Sequence, residues 1–114
     1  MRTLIATRNV GPFAVATFAL EEDLHPKDCF DYDEDALLDL MDKINRGDLQ
    51  WFLAEVVAQL GGIELGHAYL GGCCYGTFEE FLTDGYHEDL IEEALDEAKK
   101  TLDRLAEIAH TLAA

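Results

Sequence analysis

The sequence predicts a single α+β domain over residues 1–114: a small antiparallel β-sheet with three helices, the long C-terminal helix packed on the sheet. Three observations lead there. Two pairs of strand-like runs are each joined by a turn signal, Gly11-Pro12 in the first pair and Gly61-Gly62 in the second. A long apolar stripe at helical spacing closes the chain. A length of 114 residues with 49% hydrophobic content suffices for one core and leaves no room for a second.

The elements follow in order. Thr3 to Thr7 and Phe13 to Leu20 read as strands, and the second, FAVATFAL, is apolar enough to suit cover on both faces. Glu21 to Cys29 reads as a polar connection in which Pro26 argues against a helix. From Asp33 to Asn45 the set Leu37, Leu40, Met41 and Ile44 has helical spacing, and Gly47 follows as a stop signal. Gln50 to Leu60 alternates as a strand, although a helix can also be drawn through Trp51 to Leu60. Ile63 to Tyr75 is the returning strand, with bulges or close backbone contacts expected at Gly66 and Gly71-Gly72. Thr77-Phe78-Glu79-Glu80 has the form of a capping box, and Asp84-Gly85 ends the short helix it starts. Ile91, Leu95, Ala98, Leu102, Leu105, Ala109 and Leu112 form one stripe of a helix over residues 87–112.

Charge is the strongest functional signal. Twenty-four acids against eight bases give a net charge of −16. A small domain needs only about 2–8 net charges for solubility, and self-repulsion beyond that destabilises the compact state. Direct binding to nucleic acid or to an anionic membrane is not expected, because both need basic patches. The N-terminus lacks the apolar run of a signal peptide, and no stretch approaches a membrane span, so a cytoplasmic protein is expected.

Chemical motifs are weak. Asp31, Asp33 and Asp35, with Asp39 and Asp42, occupy places of an EF-hand-like calcium loop. However, Ala36 stands where the sharp turn needs glycine, and the leucines claim the same stretch for a helix. A capped, acid-fronted helix start is the better reading. Cys29, Cys73 and Cys74 with His25, His67, His87 and His110 supply zinc-ligand types, but no Cys-x-x-Cys or His-x-x-x-His pair. Neither a Ser-His-Asp pattern nor a phosphate-binding glycine loop is evident, so no catalytic residue, metal or cofactor is assigned.

The segment GIELGHAYLGGCCYGTFEEFLTDGYHEDLIEEALDEAKK, Gly62 to Lys100, resembles a recurrent stretch in small proteins of phages and conjugative plasmids. That resemblance implies a mobile-element origin and carries no assigned chemistry. By size and acidity the chain also resembles, in type only, the acidic DNA-mimicking anti-CRISPR proteins. The expected function is therefore that of a non-enzymatic inhibitor. Glu88, Asp89, Glu92, Glu93, Asp96 and Glu97, with Asp31, Asp33, Asp35, Asp39 and Asp42, would face the basic groove of a host nucleic-acid-binding complex. The alternatives are an accessory protein that binds a partner through Trp51, Tyr69 and Tyr75, or a metal or thiol site at Cys73 and Cys74. Whether the chain forms a homodimer is left open.

Overall fold

The computed structural model describes residues 2–113. Strands β1 (Arg2–Val10), β2 (Phe13–Leu20), β3 (Gln50–Leu60) and β4 (Ile63–Tyr75) form one antiparallel meander in the order β1-β2-β3-β4. Four helices accompany it: α1 (Pro26–Cys29), α2 (Glu34–Asn45), α3 (Phe78–Thr83) and α4 (Gly85–Ala113). The α+β class and the C-terminal helix on the sheet are as expected; the helix count is four rather than three.

The additional helix is the single turn α1. Pro26 occupies its first position, where the missing N–H would be unpaired in any helix and the fixed φ already suits helical geometry. The His25 ring caps the turn by accepting a hydrogen bond from the Lys27 N–H at 3.1 Å. Proline therefore starts this helix instead of preventing it. β1 also runs beyond Thr7 to Val10, because it pairs with β2 along its whole length, from Arg2 opposite Leu20 to Val10 opposite Phe13.

Local chemistry accounts for the other boundaries. At the first hairpin, Gly11 takes φ 56°, the positive φ that primed hairpin turns require at the first central position and glycine adopts without strain. Asp33 caps α2 by accepting from the Ala36 N–H at 2.8 Å, so the acidic stretch is a helix start and not an ion loop. Thr77 caps α3 by accepting from the Glu80 N–H, while the Glu80 carboxylate reaches back one residue further than a capping box requires, to the Gly76 N–H. The β4 irregularities fall where glycines interrupt the strand. Its register against β3 shifts between Ala58 and Gln59 beside Gly66, and between Phe52 and Ala54 beside Gly71-Gly72.

One face of the sheet holds the core. Phe13, Val15 and Ala19 of β2, Phe52, Ala54, Val56 and Ala58 of β3, and Leu65, Ala68 and Cys73 of β4 meet Leu90, Ile91, Ala94, Leu95 and Ala98 of α4. Phe81 of α3 is fully buried and packs edge-on against Phe52 and Tyr75. Helix α2 sits at the sheet end, where Met41 and Ile44 share a cleft with Leu24, Pro26 and Trp51. Among the described residues no helix covers the opposite face, so β2 is not sandwiched: Ala14 is exposed, and Ala16, Phe18 and Leu20 are half-buried. The shape is a rod of 65 × 24 × 24 Å. Its radius of gyration of 17.7 Å exceeds the roughly 13 Å of a compact domain of this length, because α4 runs past the sheet.

The packing turns on Gly66. A Cβ built there would lie 2.0 Å from the Ala94 carbonyl oxygen and 2.6 Å from the Ala98 nitrogen, so α4 and β4 touch through their backbones. Neither backbone atom can swing aside as a side-chain tip would. Gly66→Ala is expected to destabilise the fold by about 3 kcal/mol, the upper part of the usual overpacking range, as read from urea unfolding. A loss below about 1 kcal/mol would show that the helix can lift off without consequence.

Candidate functional site

The acidic surface is built by the amphipathicity of α4. Its inward positions between residues 87 and 98 are His87, Leu90, Ile91, Ala94, Leu95 and Ala98, all buried. Every remaining position from 88 to 97 is an acid, and all six acids are exposed. Burying the apolar stripe thus turns out Glu88, Asp89, Glu92, Glu93, Asp96 and Glu97 together, without a neutral residue among them. Two of them have internal partners. Arg8 of β1 grips Glu88 with two hydrogen bonds of 3.0 and 2.7 Å, and that contact lowers the Glu88 pKa. Glu97 accepts from the His67 N–H at 3.3 Å. Asp89, Glu92, Glu93 and Asp96 form no ion pair among the described residues.

The second acidic cluster divides along α2. Asp31, Asp33 and Asp35 are exposed, with Asp33 occupied as the cap. Asp39 and Asp42 lie one turn before cations and are paired, with Lys43 and Arg46 respectively, each at 3.0 Å. Such exposed i,i+4 pairs stabilise weakly, but they interrupt the negative face. Phe30, just before this cluster, and Tyr86, in the first turn of α4, line one cleft together with Gly72 and Cys74. The start of the α2 cluster and the start of the α4 cluster therefore lie at the same end of the sheet.

Two further arrangements, the row around Glu55 and the Thr17–His87 pair, are not singled out by the sequence, and a third place, Cys73, is offered there as a metal or thiol site. On the uncovered face, Leu4, Phe18, Glu55 and Tyr69 form one row across all four strands. Glu55 is only 6% exposed there and is paired with Arg2 at 3.0 Å; the Arg2 guanidinium also lies 4.0 Å over the Phe18 ring. Arg2 reaches Glu64 at 3.5 Å, and Glu64 meets His67 at 3.0 Å. Contact with His67, then Arg2, lowers the Glu64 pKa, while the neighbouring Glu55 carboxylate raises that of Tyr69. The charges of this cluster are spent on one another, so it covers Phe18 rather than offering free ligands. Its signal in the sequence is a lone Glu55 within an apolar strand.

The Thr17 hydroxyl lies 2.8 Å from His87 Nε2, a spacing a nucleophile and base also show. Both residues are buried, and His87 Nδ1 meets the Leu82 carbonyl at 3.3 Å, so its two ring nitrogens are satisfied as in a core histidine. Cys73 is likewise a core residue, with burial raising its thiol pKa to about 11, far from a reactive thiolate. Among the described residues no three His, Cys, Asp or Glu side chains are grouped to hold a metal ion, and no helix is long and apolar enough to cross a membrane.

Of the aromatic candidates, Trp51 donates its indole N–H to the Leu24 carbonyl at 3.0 Å, and Tyr75 bonds Asp84 at 2.7 Å. Only Tyr69 of the three is exposed. Compared with known protein families, curated proteins and solved structures, the chain matches none.

Burial lowers the pKa of His87 below its ordinary 6.5, with the nearby Arg8 charge adding to the effect. The unfolded chain therefore binds more protons at acid pH. The contribution to stability is whole above the unfolded pKa and is lost as pH falls through the folded value. Denaturation midpoints are expected to fall as pH drops below about 6.5, with a shallower fall in His87→Gln. Equal slopes in the two proteins would assign the effect to other groups.

Proposed function

We propose that this chain is an acidic interaction protein without catalytic activity. It acts as a phage-type, anti-CRISPR-like inhibitor that offers the outer face of α4 to the basic groove of a host nucleic-acid-binding complex. One observation carries this reading: every outward position of α4 from Glu88 to Glu97 is an exposed acid. Acids in that number on one helix repel one another and cost local stability, so their presence is best understood through a cationic partner. A net charge of −16 gives this face a strong field toward a cationic groove. Asp89, Glu92, Glu93 and Asp96 are the principal contacts, being free of internal ion pairs. Asp31, Asp33 and Asp35 extend the surface beside the first turn of α4, and Asp39 and Asp42 add less because Lys43 and Arg46 already neutralise them.

A second reading is favoured by the uncovered sheet face, where Leu4 and Tyr69 stand exposed in one row. There the chain would be an accessory protein held by an apolar contact.

Salt separates the two. A pull-down from bacterial lysate at low and high ionic strength should recover a basic nucleic-acid-binding partner that is released by salt. Charge reversal of Glu92 and Asp96 together should weaken that binding by at least about tenfold, while Asp39→Asn changes it little. Capture that survives high salt and is lost in Tyr69→Ala would overturn the mimic and support the apolar contact.

A further inference from the structure

The apolar seam of α4 continues beyond the sheet it packs on. Residues 91, 95, 98, 102, 105, 109 and 112 are separated alternately by four and three, the a/d pattern of a coiled coil. Ile91, Leu95 and Ala98 are buried on the sheet, and Leu102 is the last to pack against the core. Past it, every residue from Asp103 to Ala113 is exposed, including Leu105 at 48%, Ile108 at 56% and Leu112 at 81%. This is a projecting rod about 16 Å long whose seam meets no partner within the described chain.

We propose that the projecting segment pairs with the same segment of a second copy, antiparallel about a two-fold axis near residue 107. The seam is self-complementary in that arrangement. Leu102 stacks on the partner's Leu112, and Leu105 on the partner's Ala109, so each layer contains a leucine from either copy and the central layers set large against small. The positions flanking the seam are Thr101, Ala106, Ile108 and Ala113, none of them charged, while Asp103, Arg104, Glu107 and His110 point away.

Electrostatics favours the same place and the same direction. From Lys99 to Ala113, Lys99, Lys100 and Arg104 outnumber Asp103 and Glu107, giving +1 in a chain of −16. Two copies can approach here without the repulsion that the rest of the surface imposes. Antiparallel pairing also sends the two acidic bodies to opposite ends of an overlap of about 16 Å, beyond the Debye length of about 8 Å at physiological salt. A parallel pair is blocked, because its second helix would have to run along the stripe that the sheet already occupies. In the antiparallel pair, the partner's helix tip instead ends at the sheet edge beside the Gly61-Gly62 hairpin, where Ile63 is 65% exposed.

Sedimentation equilibrium and small-angle scattering in reducing buffer test this. The expected species is a dimer that persists at high salt, with a maximum dimension of about 110 Å against 65 Å for one copy. Leu105→Glu should weaken dimerisation by about 100-fold or more while leaving the melting curve of the body intact, since Leu105 lies outside the core. Leu4→Glu on the uncovered sheet face should leave the dimer unchanged. A monomer at every concentration, a dimer indifferent to Leu105→Glu, or a dimer no longer than one copy would overturn the proposal. Because dimerisation resists salt and partner capture by the acidic face does not, failure of one is distinguishable from failure of the other.

Discussion

The backbone contact between α4 and β4 at Gly66 is the constraint from which the other features follow. With no side chain at that point, the Ala94–Ala98 turn of the helix can lie directly on the strand. The helix is then fixed in rotation and in height. Its rotation decides that the small and branched residues Ile91, Ala94, Leu95 and Ala98 go inward, and therefore that the acids between them go outward. Its height decides that the last three turns overshoot the sheet. One close approach thus generates a core, a charged surface and an unpaired seam.

These three products stand in electrostatic tension. Apolar burial on the sheet has to offset the repulsion among acids carried by the same helix, and like-charged neighbours at i,i+4 each cost a few tenths of a kcal/mol. Arg8, reaching from β1 to Glu88, relieves one end of the row, and Lys99 and Lys100 begin immediately after the other. The helix dipole adds to this arrangement, since the acids occupy its N-terminal half and the cations come later. An acidic helix of this kind is stable only because its charges lie on one side and its core contacts on the other.

Several chemistry-bearing residues elsewhere are absorbed by structure. His87 is held between Thr17 and Leu82, Cys73 fills the core, and Tyr75 is tied to Asp84. Glu55 and Arg2 neutralise one another on the uncovered face. In each case a polar group brought out of water has a hydrogen-bond partner, as burial demands. Exposed charge on α4 and exposed hydrocarbon at its tip are left facing outward.

Much of the fold was legible in the residues alone, because it rests on local preference. The β2, β3 and β4 boundaries follow from alternation and glycine turns, the α2 start from Asp33, and the α3 start from Thr77. The charge of −16 needs no coordinates either. Pro26 misled, since proline forbids a helix interior but suits a first position, and only the chain's path distinguishes the two. The apolar second face of β2 misled also: its cover comes in part from Arg2, distant in sequence, lying over Phe18. Which acids are free was equally hidden, because Arg8 and Glu88 lie on different elements and meet only when the helix docks. The seven-residue seam reads as one continuous stripe in the sequence. Only the tertiary structure divides it at Leu102 into a buried part and an exposed one, because periodicity fixes which residues share a face but not how far the opposing surface extends.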